Sequence, residues 1–355
     1  MDRASIESIL KNKKKWTKKD ELVIQTPYIY LAKQPGKNFR SKLIHIFNAF
    51  YNVPENYVSM VCKIIDILHN ASLMIDDIED NSPMRRGIKA SHMIYGIPMT
   101  INSANYMYFK ALECTRYLAT YGMLDFRESV YMGMQAELLT IFEEELKNLH
   151  RGQALELHWR DSHVTPSVEM YFEMATNKTG GLFRLACRLL EEVAERYDNN
   201  KTLTDEDSMN FENSLIPLCN LLGVVYQIRD DYLNLVDDKM TSDKGFAEDI
   251  SEGKMSFPII HALAAEAKQM QDDSSKTPFL KNTLRAKTDD IKEKKKFVDI
   301  LKDDTHSLEY TKETLANLAS LIHDGNYFPI PREDREFDDD ALGQLKDIVD
   351  HLSTV

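Results

Sequence analysis

The chain has 355 residues, a formal net charge of −13 and a hydrophobic content of 43%. So acidic a chain lacks the broad basic surface that a nucleic-acid partner needs, so any anionic ligand calls for locally concentrated cations or bound metal ions. With only 13 glycines and 11 prolines, breakers are sparse and long helices are the natural reading.

Residues 1–20 carry Ile6, Ile9 and Leu10, followed by six lysines between Lys11 and Lys19. A solvated basic arm is expected, with contact to an anionic membrane surface as the alternative. No apolar segment follows these lysines as in a secretory signal. The longest apolar stretch, near Leu218–Tyr226, is about half of the roughly 20 residues that cross a bilayer. A soluble, cytoplasmic protein is expected. Cys62, Cys114, Cys187 and Cys219 are scattered without a CxxC pair and read as reduced core thiols.

From Asn52 the helical period dominates, with Val61, Ile64, Ile65, Leu68, Ser72 and Ile75 at i, i+3, i+4, i+7 spacing. This helix ends in Asp76-Asp77-Ile78-Glu79-Asp80, then Met84-Arg85-Arg86-Gly87. Asp76 and Asp80 share a face, where like charges weaken a helix unless a cation bridges them. Mg²⁺ suits that role, since it takes one or two carboxylates plus substrate phosphates. An EF-hand is excluded, because no Gly falls at loop position 6 and no Glu at position 12. A solvated acidic face is the competing reading, and it fits poorly between an apolar helix and an arginine pair.

Asn81-Ser82-Pro83 and Gly96-Ile97-Pro98 are breakers. Helices are predicted near 100–120, 129–159, 167–195, 208–237, 255–270, 288–301, 307–323 and 339–353. The polar stretches 197–207 and 271–278 read as surface connections. No strict alternation appears, so essentially no sheet is expected and one all-α domain spanning 1–355 is the simplest architecture.

Within the 167–195 segment, Asn177-Lys178-Thr179-Gly180-Gly181 places two glycines in a helical pattern at a cost. The plain reading is a helix end. The functional one is a break that turns carbonyls and Thr179 toward a cavity, where they steady a cation. Further on, Gln227, Asp230, Asp231 and Asn234 form one helical stripe emerging from the apolar run Leu221–Val225. Two such acidic helices facing each other would hold several Mg²⁺ ions.

Lys37 and Arg40, Arg85 and Arg86, and Lys178, Lys244 and Lys254 are the candidate anion ligands, since guanidinium offers phosphate a fork and ammonium a point charge. For each alone, a surface cation is the competing reading. His69, seven residues before Asp76, shares its helix face within about 20°. A core histidine would sit there equally well.

Together these motifs resemble the two aspartate-rich motifs of trans-isoprenyl diphosphate synthases. Lys244-Gly245-Phe246-Ala247-Glu248-Asp249, running to Glu252-Gly253-Lys254-Met255-Ser256-Phe257-Pro258, is similar to eukaryotic geranylgeranyl diphosphate synthases, in their fungal form especially. The resemblance covers about residues 20–265 and does not anchor the last 90. It implies an all-α, single-domain fold around a deep central cavity, a homodimer to which the 100–120 helix contributes, and about three Mg²⁺ per active site. It implies Asp76, Asp80 and Asp230 as metal ligands, and Asp77, Lys178, Thr179 and Gln227 among the catalytic residues. Arg85, Lys178, Thr179, Gln227, Asn234, Lys244 and Lys254 would line the allylic site. Lys37, Arg40, His69 and Arg86 would hold isopentenyl diphosphate. The second motif ends in Asn234 where the family often has Asp, which suits a substrate contact better than a metal ligand.

The implied reaction is ionisation, condensation and elimination, with the released diphosphate as base. In the family, bulky aromatics one turn before the first motif stop growth at C15. Here Ala71 and Ser72 are small, so growth to C20 is expected. Tyr108, Phe109 and His150 are candidates for the floor, with ordinary core packing as the alternative. The rival functions are a farnesyl diphosphate synthase, a terpene cyclase, which would have little need for Lys37, Arg40 and His69, and a non-catalytic partner subunit, which would be expected to lose motif aspartates.

Overall fold

The computed structural model describes residues 1–11, 16–34, 39–120, 128–199, 214–237, 245–272, 277–329 and 338–355. In chain order the helices are α1 (Arg3–Lys11), α2 (Lys18–Ala32), α3 (Phe39–Tyr51), α4 (Glu55–Glu79), α5 (Ser91–Tyr95), α6 (Ile97–Leu118), α7 (Glu128–Ser162), α8 (Val168–Lys178), α9 (Gly180–Asn199) and α10 (Ile216–Val236). They continue with α11 (Glu248–Glu252), α12 (Phe257–Asp272), α13 (Phe279–Ala286), α14 (Ile291–Asp299), α15 (Ser307–Asp324) and α16 (Asp339–Ser353). A π-helical turn, Ile300–Asp304, extends α14.

The all-α expectation holds, with one exception among the described residues. Met84–Arg85 (β1) pairs antiparallel with Ile88–Lys89 (β2), Arg85 opposite Ile88. Arg86 and Gly87 take φ of 53° and 74°, the positive values that a two-residue type I′ hairpin requires. The helix expected over 167–195 is two helices broken at Thr179. The helix expected from 208 is seen from Ile216, and residues 208–213 lie outside the described residues. Helix α13 falls just after a stretch that reads as a polar connection. At eight residues it is too short for a clear periodic signal.

Helix α4 organises the core. Its side chains Val58, Val61, Ile65, Leu68, Ala71 and Met74 are all essentially fully buried, each large one worth roughly 1.5–3 kcal/mol on burial. They pack chiefly on α6, with α9, α3 and α2 around them. By length and composition α4 is the one described helix that could cross a membrane, against the expectation that no such segment exists, because its apolar residues are spread among polar ones. Here its apolar face lies inside the bundle, and its last turns carry Asp76, Asp77 and Asp80.

Two close approaches set the geometry next to α8. A Cβ on Gly223 of α10 would lie 2.5 Å from Gly180 Cα and 2.6 Å from Gly180 N. A Cβ on Gly152 of α7 would lie 2.5 Å from Lys178 N. Glycine at both places lets three helix backbones meet where α8 ends and α9 begins.

Candidate active site

The ends of α4, α8 and α10 face one cavity of about 760 Å³. Asp76, Glu79 and Asp80 line it from α4, and Gln227, Asp230 and Asn234 from α10. The two acidic stripes read from the sequence therefore face the same space. Arg85, Lys178, Thr179 and Lys254 line it as well, together with Arg40, His69 and Arg86.

Arg85 is aimed by the hairpin. Its Nε donates to Asp77 Oδ1 at 2.6 Å, and its Nη2 to Asp76 Oδ2 at 3.0 Å. Burial opposes the guanidinium charge, yet Asp77 and Asp76 outweigh it and hold the pKa above its ordinary value. Asp77, expected among the catalytic residues, is off the cavity. It is fully buried beneath Arg85, because one residue along a helix turns a side chain by about 100°. Its role is to anchor Arg85.

Lys178 sits at the C-terminal end of α8, where Gly152 leaves room. Its Nζ hydrogen-bonds Glu156 Oε2 and lies 3.7 Å from Asp76 Oδ1. Burial works against this ammonium, but Glu156 and Asp76 raise its pKa above the usual lysine value. Thr179 Oγ1 donates to Gln227 Oε1.

Asp231, a member of the stripe, is a buried hub. It accepts from Tyr171 OH (2.5 Å), Gln227 Nε2 (2.9 Å), Lys254 Nζ (3.0 Å) and the Phe257 amide (2.9 Å). It locks α8, α10 and α12 together and fixes Gln227 and Lys254 for the cavity. Asn234 Oδ1 accepts from the Asp249 amide at 3.1 Å, so its carbonyl oxygen also ties α10 to α11.

Arg40, His69 and Arg86 form a second basic group. His69 has its pKa pushed well below the ordinary value, first by burial and then by Arg40, Arg86 and Arg85. It is neutral at pH 7 and offers a hydrogen bond without a charge. Lys37 and Lys244 lie outside the described residues.

The third face is less polar. Gln153 of α7 contacts Asp76 Oδ1 at 3.4 Å and Glu79 Oε2 at 2.7 Å. One turn earlier on each helix, Ser72 of α4 and Leu149 and His150 of α7 line the cavity, with Leu146 a turn further. Tyr108 of α6 stands against His150, ring centroids 5.9 Å apart. Two of the expected chain-length residues are elsewhere. Ala71 is fully buried in the core stripe of α4, and Phe109 is 69% exposed on the outer side of α6. Each is a direct neighbour of a residue that does line the cavity, turned away by one helical step.

Sequence reasoning missed a group on α7. Gln153, Glu156 and Arg160 are spaced i, i+3, i+7, the same stripe signal that marked α10. Arg160 Nη1 donates to Asp80 Oδ1 at 2.8 Å and to the Glu79 carbonyl at 3.0 Å. Asp249, Glu252 and Asp66 also line the cavity.

The donor chemistry fits Mg²⁺. Eight carboxylates line the cavity against five described guanidinium or ammonium groups, an excess that a divalent cation would offset. Burial and then Asp76 and Glu252 push the Asp80 carboxyl up to about 8, the sign of an acidic site short of positive charge. Among the described residues, no group of three or more His, Cys, Asp or Glu side chains is placed to hold a metal alone.

A raised carboxyl pKa has a thermodynamic consequence. The stabilisation it confers is complete below its unfolded value and is lost as pH rises through about 8. Metal-free protein should therefore lose Tm between pH 5 and 9 more steeply than Asp80→Asn, as followed by circular dichroism. Equal slopes would remove Asp80 as the cause.

The polyprenyl synthetase family model matches residues 21–301. A geranylgeranyl pyrophosphate synthase of Eremothecium gossypii is 46% identical over 86% of this chain and 89% of its own length. One from Zymoseptoria tritici is 43% identical over 86% of this chain and 80% of its own. One from Aspergillus versicolor is 42% identical over 85% of this chain and 70% of its own. Both the cavity with its paired aspartate stripes and these matches lead to one assignment: the chain belongs to the polyprenyl synthetase family.

Proposed function

We propose that the chain is a Mg²⁺-dependent prenyl transferase that condenses isopentenyl diphosphate with allylic diphosphates, dimethylallyl, geranyl and farnesyl, and releases geranylgeranyl diphosphate. The observation that carries this reading is the cavity itself. Two carboxylate stripes and two separate basic groups converge on it, and its less polar end runs past Ser72 to Tyr108 and His150. Two basic groups suit two diphosphates, which a cyclase does not use.

Asp76, Asp80 and Asp230 are the residues that would hold Mg²⁺, about three ions per site, whose chemistry when bound is to neutralise charge on the departing diphosphate. Arg85, Lys178 and Lys254 bind that diphosphate, a role the motif resemblance extends to Lys244, while Gln227 and Asn234 orient it. The hydroxyl proton of Thr179 is committed to Gln227, so its lone pairs are available to steady the allylic cation. Arg40, neutral His69 and Arg86, joined by Lys37, hold isopentenyl diphosphate. Its double bond attacks the cation, and the proton lost passes to the released diphosphate.

Ile97, Ile101 and Phe109 place an apolar row on the outside of α6, 50%, 38% and 69% exposed. In this reading the row meets a second copy in a homodimer. Four free thiols among the described residues suit the cytoplasm. The basic arm containing α1, none of whose residues is buried, suits peripheral contact with an anionic surface.

Incubation with farnesyl diphosphate, labelled isopentenyl diphosphate and Mg²⁺ should give a C20 product, abolished by chelation. Failure to elongate farnesyl diphosphate, or a cyclic hydrocarbon, would overturn the reading. The floor has its own test. Tyr108→Ala should lengthen products beyond C20, and an unchanged distribution would mean Tyr108 only packs.

A further inference from the structure

Glu156 belongs to neither aspartate motif, yet it sits between the two ammonium groups of the allylic site. It is only 7% exposed. Its Oε2 accepts a hydrogen bond from Lys178 Nζ, and its Oε1 lies 3.7 Å from Lys254 Nζ. Among the described ion pairs it is the carboxylate that both lysines share. Each lysine also has its own partner, Asp76 at 3.7 Å from Lys178 and Asp231 at 3.0 Å from Lys254. Neither lysine therefore needs Glu156 merely to be compensated.

A shared carboxylate does two things here. It holds two like charges close together, which would otherwise push each other apart. It also cancels part of the field that a bound diphosphate feels, since its negative charge stands one ammonium group away from the anion. Through a partly buried path such a repulsion is weakly screened. Diphosphate is released in every condensation, and uniform tightening of its binding gains nothing once substrate saturates the site.

We propose that Glu156 is a positioning residue that tunes the diphosphate affinity of the allylic site, fixing Lys178 and Lys254 as a pair while keeping inorganic diphosphate exchangeable. This rests on the functional reading above. It identifies Glu156 as the group that lets the paired ammonium groups of Lys178 and Lys254 release their anion.

The test is calorimetric binding of inorganic diphosphate, at saturating Mg²⁺, to the wild-type chain and to Glu156→Gln. The variant keeps the shape and removes the charge. It should bind diphosphate roughly tenfold more tightly. Its KM for farnesyl diphosphate and its kcat should fall together, with KM for isopentenyl diphosphate unchanged. A purely structural role would not produce that split. Diphosphate binding equal to or weaker than wild type overturns the proposal. Should Glu156→Gln not fold, Glu156→Asp decides. It withdraws the charge by one methylene and should bind diphosphate two- to threefold more tightly, by the same distance dependence; wild-type or weaker binding overturns the proposal. A wild-type chain that binds no diphosphate would instead sink the functional reading, which keeps the two failures distinct.

Discussion

Asp76→Ala will lower kcat by at least about a thousandfold, the several kcal/mol that metal-held charge stabilisation supplies, while the helical fold survives. Asp76 is the α4 carboxylate contacted by Arg85, Lys178 and Gln153 at once. Its loss takes a proposed metal ligand and the shared acceptor of Arg85 and Lys178 out of one place. The fold should tolerate the change because each partner keeps another. Arg85 retains Asp77, Lys178 retains Glu156, and Gln153 retains Glu79. Removing the charge also relieves Asp80, whose raised pKa owes part of its shift to Asp76. Steady-state kinetics with circular dichroism in parallel checks both halves. Retained Mg²⁺-dependent turnover would contradict the proposed role of Asp76.

Gly223→Ala should have the largest effect on stability. Its new Cβ would meet backbone atoms of Gly180 at 2.5 and 2.6 Å, and backbone cannot swing aside as a flexible side chain does. Helix α10 must move away from the α8–α9 break, at a cost of about 3 kcal/mol or more. A Tm loss above about 5 °C is expected. The folded fraction should also turn over more slowly, since Thr179 and Gln227 lie across that contact. Gly343→Ala is the control. It lies in α16 with nothing within 4 Å of the added Cβ, and should be neutral or stabilise by up to about 1 kcal/mol.

Most of the fold was legible because it follows from helical periodicity and a shortage of breakers. The paired motifs were legible for the same reason: stripes such as Gln227, Asp230, Asp231 and Asn234 show themselves by spacing. The sequence shows less clearly which members of a stripe meet the cavity. Asp76 and Asp77, Ser72 and Ala71, and Tyr108 and Phe109 are adjacent pairs in which one residue lines the site and the other does not. Ala71 continues the buried spacing of Ile64 and Leu68, although Ser72 continues that of Ile65 and Leu68 equally well, so spacing alone does not separate the two.

The hairpin was illegible as sheet because two-residue strands have no periodicity. Arg86-Gly87 is its only local signature, and Arg86 reads equally as an anion ligand. The α7 stripe was overlooked because Gln153, Glu156 and Arg160 lack the doubled aspartates that made α4 and α10 conspicuous. Yet this stripe supplies contacts to Asp76, Glu79, Asp80, Lys178 and Lys254. A clamp assembled from two acidic helices thus takes its internal order from a third.

The central claim is that α4 and α10 act on one diphosphate from opposite sides. Calorimetric titration of inorganic diphosphate into wild type, Asp76→Ala and Asp230→Ala, each with and without Mg²⁺, tests it most directly. The wild-type chain should bind only with Mg²⁺, and each single variant should lose at least about tenfold in affinity. If either variant kept wild-type, Mg²⁺-dependent binding, one helix would suffice and the two-sided clamp would be wrong.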